Sequence, residues 1–120
     1  MEAYEEYEQL PKVNYRRKIA HVFNVQIAVV LQAVIERVVK EHDDHGLPIT
    51  EYVNVDSFGI MSVTGMGEEE VDNALSMLQR THVLMHIGDK DLNDLFAVNW
   101  QKYREYLDST PIEMDGIVSE

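Results

Sequence analysis

A pair of glycines near the middle of the chain constrains the fold more than any other feature. Gly65 follows the apolar segment 57–63, at a place where a helix end needs left-handed backbone. Gly67 precedes a second amphipathic segment, where that helix needs its N-cap, and Asp56 is a strong N-cap for the first segment. The sequence therefore predicts a tight turn at the glycines, between a short helix and a longer helix over 67–81.

Strand patterns lie on either side of this helix pair. Two apolar runs, Val83–Ile87 and Leu95–Val98, are separated by the polar segment 88–94 and predict a β-hairpin with a seven-residue loop. A short strand is predicted at 52–55, just before the first helix of the pair. The fold class that follows is mainly α with a small antiparallel β-hairpin.

The segment 25–41 predicts a long helix that is apolar nearly all round. One arc is wide and apolar, and a second arc carries further small apolar residues among polar ones: Val22, Val25, Val29 and Ala33. Such a helix has to be covered on both sides. The cover is either another helix of the chain, for which 14–23 and 100–108 are available, or a second subunit. In the second case Val22, Val25 and Val29 are the candidate subunit interface of a homodimer.

The flanking segments set the predicted domain boundaries. Residues 1–13 are an acidic tail with Tyr4 and Tyr7, 14–108 are the folded domain, and 109–120 are a polar C-terminal tail. Within 14–23 a helix is predicted, capped by Asn14, with its cations opposite its apolar face. These cations either bind phosphate or pair with the acidic tail; they are Arg16, Arg17 and Lys18.

Composition excludes several classes of function. The chain has 22 acidic and 10 basic residues, a formal charge of −12, and no cysteine, so disulfides, thiolate zinc sites and cysteine nucleophiles are excluded.

No apolar run is long enough to cross a membrane, and the acidic start does not resemble a signal peptide, so we expect a cytoplasmic protein. No catalytic, cofactor or metal site is predicted, and no small-molecule substrate. His42 and His45 lack further ligands, and no serine lies in a nucleophile-elbow pattern.

The order helix, glycine turn, helix, hairpin is that of a winged helix-turn-helix. The chain resembles, over roughly residues 19–100, the winged-helix domains of replication-initiator and replisome-organiser proteins from phages and Gram-positive bacteria, the DnaD-like group among them. The first helix matches 24–39, the second 55–63 and the turn 64–67. The run 71–78 (VDNALSML) fits the group's V-x-x-A-L-x-x-L, and 82–84 (HVL) stands where the wing opens. The resemblance implies this fold and a link to nucleic-acid transactions.

The charges depart from that family's usual function. The positions that would face DNA on the second helix carry Glu68, Glu69, Asp72, Asn73 and Ser76, and Arg80 is the only cation there. The predicted wing loop adds Asp89, Asp91 and Asp94 against one lysine. DNA-binding proteins neutralise phosphates with Lys and Arg, and each carboxylate brought close would oppose binding by roughly 0.5–1 kcal/mol. Direct DNA reading by this helix is therefore disfavoured.

Two functions are predicted on these grounds. The first is a small phage-type or mobile-element protein of the replication or regulatory class, which acts mainly through a protein partner and contacts DNA, if at all, through Arg16, Arg17, Lys18 and Arg80. The alternative is an acidic DNA-mimic or anti-defence inhibitor that occupies a basic nucleic-acid groove on its target. Its mimic surface would be Glu68, Glu69, Glu70, Asp72, Asp89, Asp91 and Asp94.

Overall fold

In the part of the chain that the structure describes, helices make up most of the secondary structure and are accompanied by two small antiparallel sheets. The computed structural model describes residues 14–87, 95–109 and 117–119. In chain order the elements are β1 (Asn14–Arg16), α1 (Arg17–Val22), α2 (Val25–His45), β2 (Val53–Asn54), α3 (Ser57–Thr64), α4 (Glu68–Arg80), β3 (Leu84–Ile87), β4 (Leu95–Val98), α5 (Trp100–Asp108) and β5 (Ile117–Ser119). The predicted fold class, mainly α with a small antiparallel sheet, is confirmed at this level.

The long helix α2 lies at the centre of the fold. It packs against α1, α3 and α4 and against strands of both sheets. Its buried side chains include Val30, Leu31, Val34 and Val38, each at most 1% exposed. A helix that is apolar nearly all round needs cover on several sides, and these neighbours provide it.

The ends of α2 follow local signals. Asn24 caps its start, because the Asn24 Oδ1 accepts a hydrogen bond from the Ile27 N–H at 2.7 Å. The helix continues past the predicted end at 41 as far as His45, since no helix breaker occurs before Gly46, which ends it with a φ of 71°. Ion pairs one turn apart link the added turn to the rest, with Lys40 3.2 Å from Asp44.

The predicted turn between α3 and α4 is confirmed. The Asp56 side chain caps α3 by accepting the Phe58 N–H at 3.0 Å. Gly65 ends α3 with a φ of 73°, a left-handed conformation that costs other residues free energy. Gly67 is the N-cap of α4, as predicted. The two helices therefore meet at the glycine corner and both pack against α2.

The hairpin is also confirmed, and the short strand before α3 joins it. The sheet order is β2-β4-β3, all antiparallel, with Val53 opposite Phe96 and His86 opposite the same residue on the other side. Val83, Leu84 and Val98 are buried in the hydrophobic core. The sheet thus closes the core at the end of α4.

Two flanking predictions are wrong. Residues 14–16 do not begin a helix capped by Asn14; they form β1, and α1 begins at Arg17. Residues 117–119, predicted as part of an irregular tail, form β5 and pair with β1, with Tyr15 opposite Val118. The two strands are about a hundred positions apart in the chain, so no local pattern indicates their pairing.

Candidate functional site

The first turns of α4 present an acidic surface. Glu68, Glu69 and Asp72 are exposed there, while Val71 and Ala74 on the opposite side of the helix are buried against the core. Carboxylates at a helix N-terminus are stabilised by the helix dipole, so several of them can lie close together in the first turns of α4. Among the described residues, every ion pair lies elsewhere, so no cation neutralises these three carboxylates. We call Glu68, Glu69 and Asp72 the acidic face.

Glu70, which the sequence groups with these carboxylates, has a different position. Its Oε1 accepts a hydrogen bond from the Gly67 N–H at 3.1 Å, and its Oε2 accepts one from the Gln26 Nε2 at 2.8 Å. The first bond satisfies the free N–H of the N-cap residue Gly67, and the second joins α4 to the start of α2. Glu70 therefore holds the acidic face in place and has less freedom to contact a partner.

The rest of the predicted acidic surface, Asp89, Asp91 and Asp94, lies outside the described residues. The two strands of the hairpin, β3 and β4, are within the described residues. On β3 the exposed side chains include Met85 and Ile87, the latter 52% exposed. The His86 ring packs against Phe96, with centroids 4.7 Å apart. His82 lies in the turn before β3 and has a φ of 64°.

The predicted basic patch at the start of the domain is divided by the fold. Arg17 is exposed and Arg16 is half-buried, but Lys18, expected on the polar side of its helix, is only 8% exposed. The reason is that α1 lies between α2 and α5, so a six-residue helix has little free surface. Lysine can be covered in this way because its aliphatic stem packs against apolar neighbours.

Sequence reasoning missed a cation that joins this region. Arg104 of α5 lines a groove of about 430 Å³ together with Arg16 and Lys18, and the aromatic residues Trp100 and Tyr103 form part of its wall. The spacing of Trp100 and Arg104, one helical turn apart, was the available signal. Arg80, the fourth predicted DNA contact, is exposed at the far end of α4 and is not part of this groove.

The three valines predicted as a subunit interface differ in exposure. Val22 is half-buried on α1, Val25 is 49% exposed, and Val29 is 4% exposed. Val29 lines a second groove, of about 510 Å³, between α2, β2 and α3. We call it the apolar groove; it is lined by Val29, Ala33, Glu36, Arg37, Lys40, Asn54, Val55, Asp56, Gly59, Ile60, Val63 and Thr64. The second arc of α2 is thus covered partly by α3 and is open beside it.

Histidine and carboxylate side chains do not gather into a metal centre anywhere in the described parts of the chain. His42 instead contacts the loop that follows α2, with its Nδ1 2.7 Å from the Leu47 carbonyl oxygen. His45 lies 3.6 Å from Glu41 on the same helix.

The helices seen in the described ranges are all too short or too polar to span a membrane.

Comparison of the chain with protein-family models, with curated proteins and with solved structures finds no match.

Proposed function

We propose that this chain is a small winged-helix protein of the phage or mobile-element replication or regulatory class, and that it acts through protein contacts. The order of its elements supports the winged helix: the long helix α2, then β2, then α3 and α4 joined at the glycine corner, then the β3–β4 hairpin. The pairing of β2 with β4 is a further support, because it holds the hairpin beside α4.

The observation that carries the proposal is the acidic face on α4. In a helix-turn-helix protein that reads DNA, the second helix of the pair lies in the major groove, and its first residues contact base edges. Here those residues include Glu68, Glu69 and Asp72, which are exposed and unpaired with any cation of the described chain. Carboxylates at this place repel the phosphates of DNA. They attract a partner protein whose surface is rich in Arg and Lys.

The distribution of cations supports the same choice. DNA binding gains its free energy from several cations that neutralise phosphates together. Lys18 is nearly buried, and Arg80 lies on a different element from Arg16 and Arg17. These four side chains therefore offer a poor match to one stretch of DNA backbone, and the contact we propose is with a basic protein.

A second candidate function rests on the position of the same carboxylates. Glu68, Glu69 and Asp72 extend along the helix that would enter DNA in this fold, so they could occupy a protein groove that normally holds nucleic acid. The protein would then be an acidic inhibitor that mimics DNA. The two candidates share the acidic face and differ in whether nucleic acid and this chain compete for one site.

The acidic face is tested with matched charge-removal variants. A triple variant (Glu68→Gln, Glu69→Gln, Asp72→Asn) is compared with a control that removes three exposed carboxylates elsewhere (Asp43→Asn, Glu105→Gln, Asp108→Asn). Both change the net charge equally. The probe is an arginine-rich peptide, and its affinity is measured by fluorescence anisotropy at about 50 and 150 mM NaCl, where screening differs. We expect the triple variant to lose about tenfold in affinity and the control about twofold, since close charges contribute more than distant ones.

The same samples decide between DNA reading and the two candidates. Binding of the wild-type chain to random duplex DNA, with an affinity that falls steeply as salt rises, would contradict the proposal. Equal losses for the two variants would show that net charge alone attracts the peptide, and the acidic face would have no special part. Displacement of duplex DNA from the arginine-rich peptide by the wild-type chain, and not by the triple variant, would favour the inhibitor.

A further inference from the structure

Lys18 carries a charge that nothing in the described chain neutralises. Its side chain is only 8% exposed, yet it forms no hydrogen bond or ion pair with a described residue. Lysine is seldom buried to this degree without a paired anion, because taking a charge out of water costs free energy. Across the described ranges, no fully enclosed side-chain nitrogen or oxygen lacks a partner. The Lys18 ammonium is therefore open to the groove that this residue lines.

We call this groove, of about 430 Å³, the basic groove; it is lined by Arg16, Lys18, Trp100, Tyr103, Arg104, Leu107 and Asp108. Packing of α1 against α5 brings Lys18 and Arg104 to the same groove. Arg104 is exposed and, like Lys18, forms no hydrogen bond or ion pair with a described residue. Asp108 lies one turn further along α5 and is not paired with it. Two cations are thus available to a ligand, and Arg16, which has a contact of its own, adds a third positive charge.

The charge of the basic groove selects the kind of anion that it can hold. Three cations against one carboxylate leave a local charge of +2, in a chain whose formal charge is −12. A phosphate monoester carries about −1.5 to −2 at pH 7, whereas a carboxylate carries a single negative charge. Guanidinium and ammonium groups also make their strongest hydrogen bonds to such oxygens. The charge balance therefore favours a phosphate monoester over a carboxylate.

The remaining wall of the basic groove is apolar and held in place. The Trp100 Nε1–H donates a hydrogen bond to the Ile49 carbonyl oxygen at 2.8 Å, which fixes the indole ring. The same ring packs edge to face with Tyr103, with centroids 5.7 Å apart, and Leu107 lies beside them in the lining. A fixed apolar wall next to a few charged groups is the usual composition of a small-molecule site. An ester with an apolar or aromatic organic group fits this groove better than inorganic phosphate does.

We infer that the basic groove binds a small organic phosphate monoester. Lys18 and Arg104 contact the phosphate oxygens, and the organic group packs against Trp100 and its aromatic neighbour. The ligand is bound and not converted, because the inference assigns no nucleophile or general base to the groove. The basic groove and the acidic face lie on different elements, so this site is separate from the one in the proposed function.

Trp100 is the single tryptophan of the chain, so its fluorescence reports directly on the basic groove. The full chain is titrated with phenyl phosphate, with inorganic phosphate and with benzoate, which has the same ring and one charge. The use of the full chain includes any competition from the acidic residues 1–13. We expect phenyl phosphate to change the Trp100 emission and to bind about tenfold more tightly than either comparison compound, since each lacks one of the two contacts.

Three variants test the residues. Lys18→Met keeps an unbranched apolar stem and removes the charge, and Arg104→Gln removes the second cation; each should weaken phenyl phosphate binding about tenfold. Arg80→Gln removes an exposed arginine of α4 that does not line the groove, and it should weaken binding no more than about twofold. Phenyl phosphate should also raise the melting temperature of the wild type and not that of Lys18→Met. If Lys18→Met does not fold, Arg104→Gln decides.

The basic groove and the proposed function can fail separately. The triple variant of the acidic face should bind phenyl phosphate at least as tightly as the wild type, and Arg104→Gln should still bind the arginine-rich peptide. A full chain whose Trp100 emission and melting temperature do not respond to phenyl phosphate would overturn the inference. So would equal losses in Arg104→Gln and Arg80→Gln, or binding of benzoate or inorganic phosphate as tight as that of phenyl phosphate.

Discussion

Replacing Glu70 with alanine separates the carboxylate that supports α4 from the carboxylates that are free to bind. The substitution removes two hydrogen-bond acceptors, one for the Gly67 N–H at 3.1 Å and one for the Gln26 side chain at 2.8 Å. A hydrogen bond contributes about 0.5–1.5 kcal/mol net, and both of these are exposed, which places them near the lower end. We therefore expect Glu70→Ala to lower the free energy of unfolding by about 1 kcal/mol beyond any effect of its charge.

Glu69→Ala is the matched control. It removes one carboxylate from the same helical turn, so the loss of interaction with the helix dipole and the change in net charge are nearly equal in the two variants. The difference between them reports the hydrogen bonds of Glu70. In urea denaturation a difference of about 1 kcal/mol lowers the midpoint by roughly 0.5–1 M, with an unchanged slope.

The peptide-binding assay should rank the same two variants in the opposite order. Glu69→Ala should reduce the affinity for the arginine-rich peptide and lower stability only by the loss of its interaction with the helix dipole. Glu70→Ala should reduce stability and have the smaller effect on affinity under conditions where it is fully folded. Free energies of unfolding that agree within about 0.3 kcal/mol for the two variants would refute the reasoning, because the two hydrogen bonds would then contribute nothing measurable.

Two further substitutions test the core and the turn before the hairpin. Leu31 is 1% exposed on the central helix α2, and Leu31→Ala should cost about 3 kcal/mol in urea denaturation; a loss below about 1 kcal/mol would contradict the central position of α2. His82 has a φ of 64°, a left-handed conformation in which residues other than glycine are strained, so His82→Gly should raise the free energy of unfolding by about 0.5–1 kcal/mol. A decrease on thermal or urea unfolding would mean that the imidazole makes a stabilising contact.

Local signals in the sequence were sufficient for most of the central fold. Asn24 and Asp56 each cap a helix through a side-chain oxygen that bonds to a backbone N–H only two or three residues ahead. Gly65 ends α3 because of its own backbone freedom. Such features depend on a few consecutive residues, so they can be identified without knowing the fold. The same holds for the hairpin, whose two apolar runs are near neighbours in the chain.

The errors have a common physical cause, which is contact between distant segments. The sequence predicts a helix from Asn14 onward, but residues 14–16 pair as β1 with β5, which begins at residue 117. The sequence around α1 predicts an open polar face for Lys18, because no local pattern indicates that α5 packs against α1. Helix and strand patterns give the direction of an apolar face and not the identity of the segment that covers it.

The acidic face illustrates which properties depend on local sequence and which depend on tertiary structure. The sequence by itself determined that three consecutive glutamates would stand at the start of a helix, because helix capping and the helix dipole act within a single turn. Only the tertiary structure decided which of them bonds to another helix, because Glu70 accepts a hydrogen bond from Gln26, a residue 44 positions away. Likewise, the sequence placed a second apolar arc on the long helix, and the packing of α3 beside it decided that this arc would line an open groove. Side-chain chemistry and local backbone geometry are properties of short segments, whereas exposure depends on which surfaces the whole chain brings together.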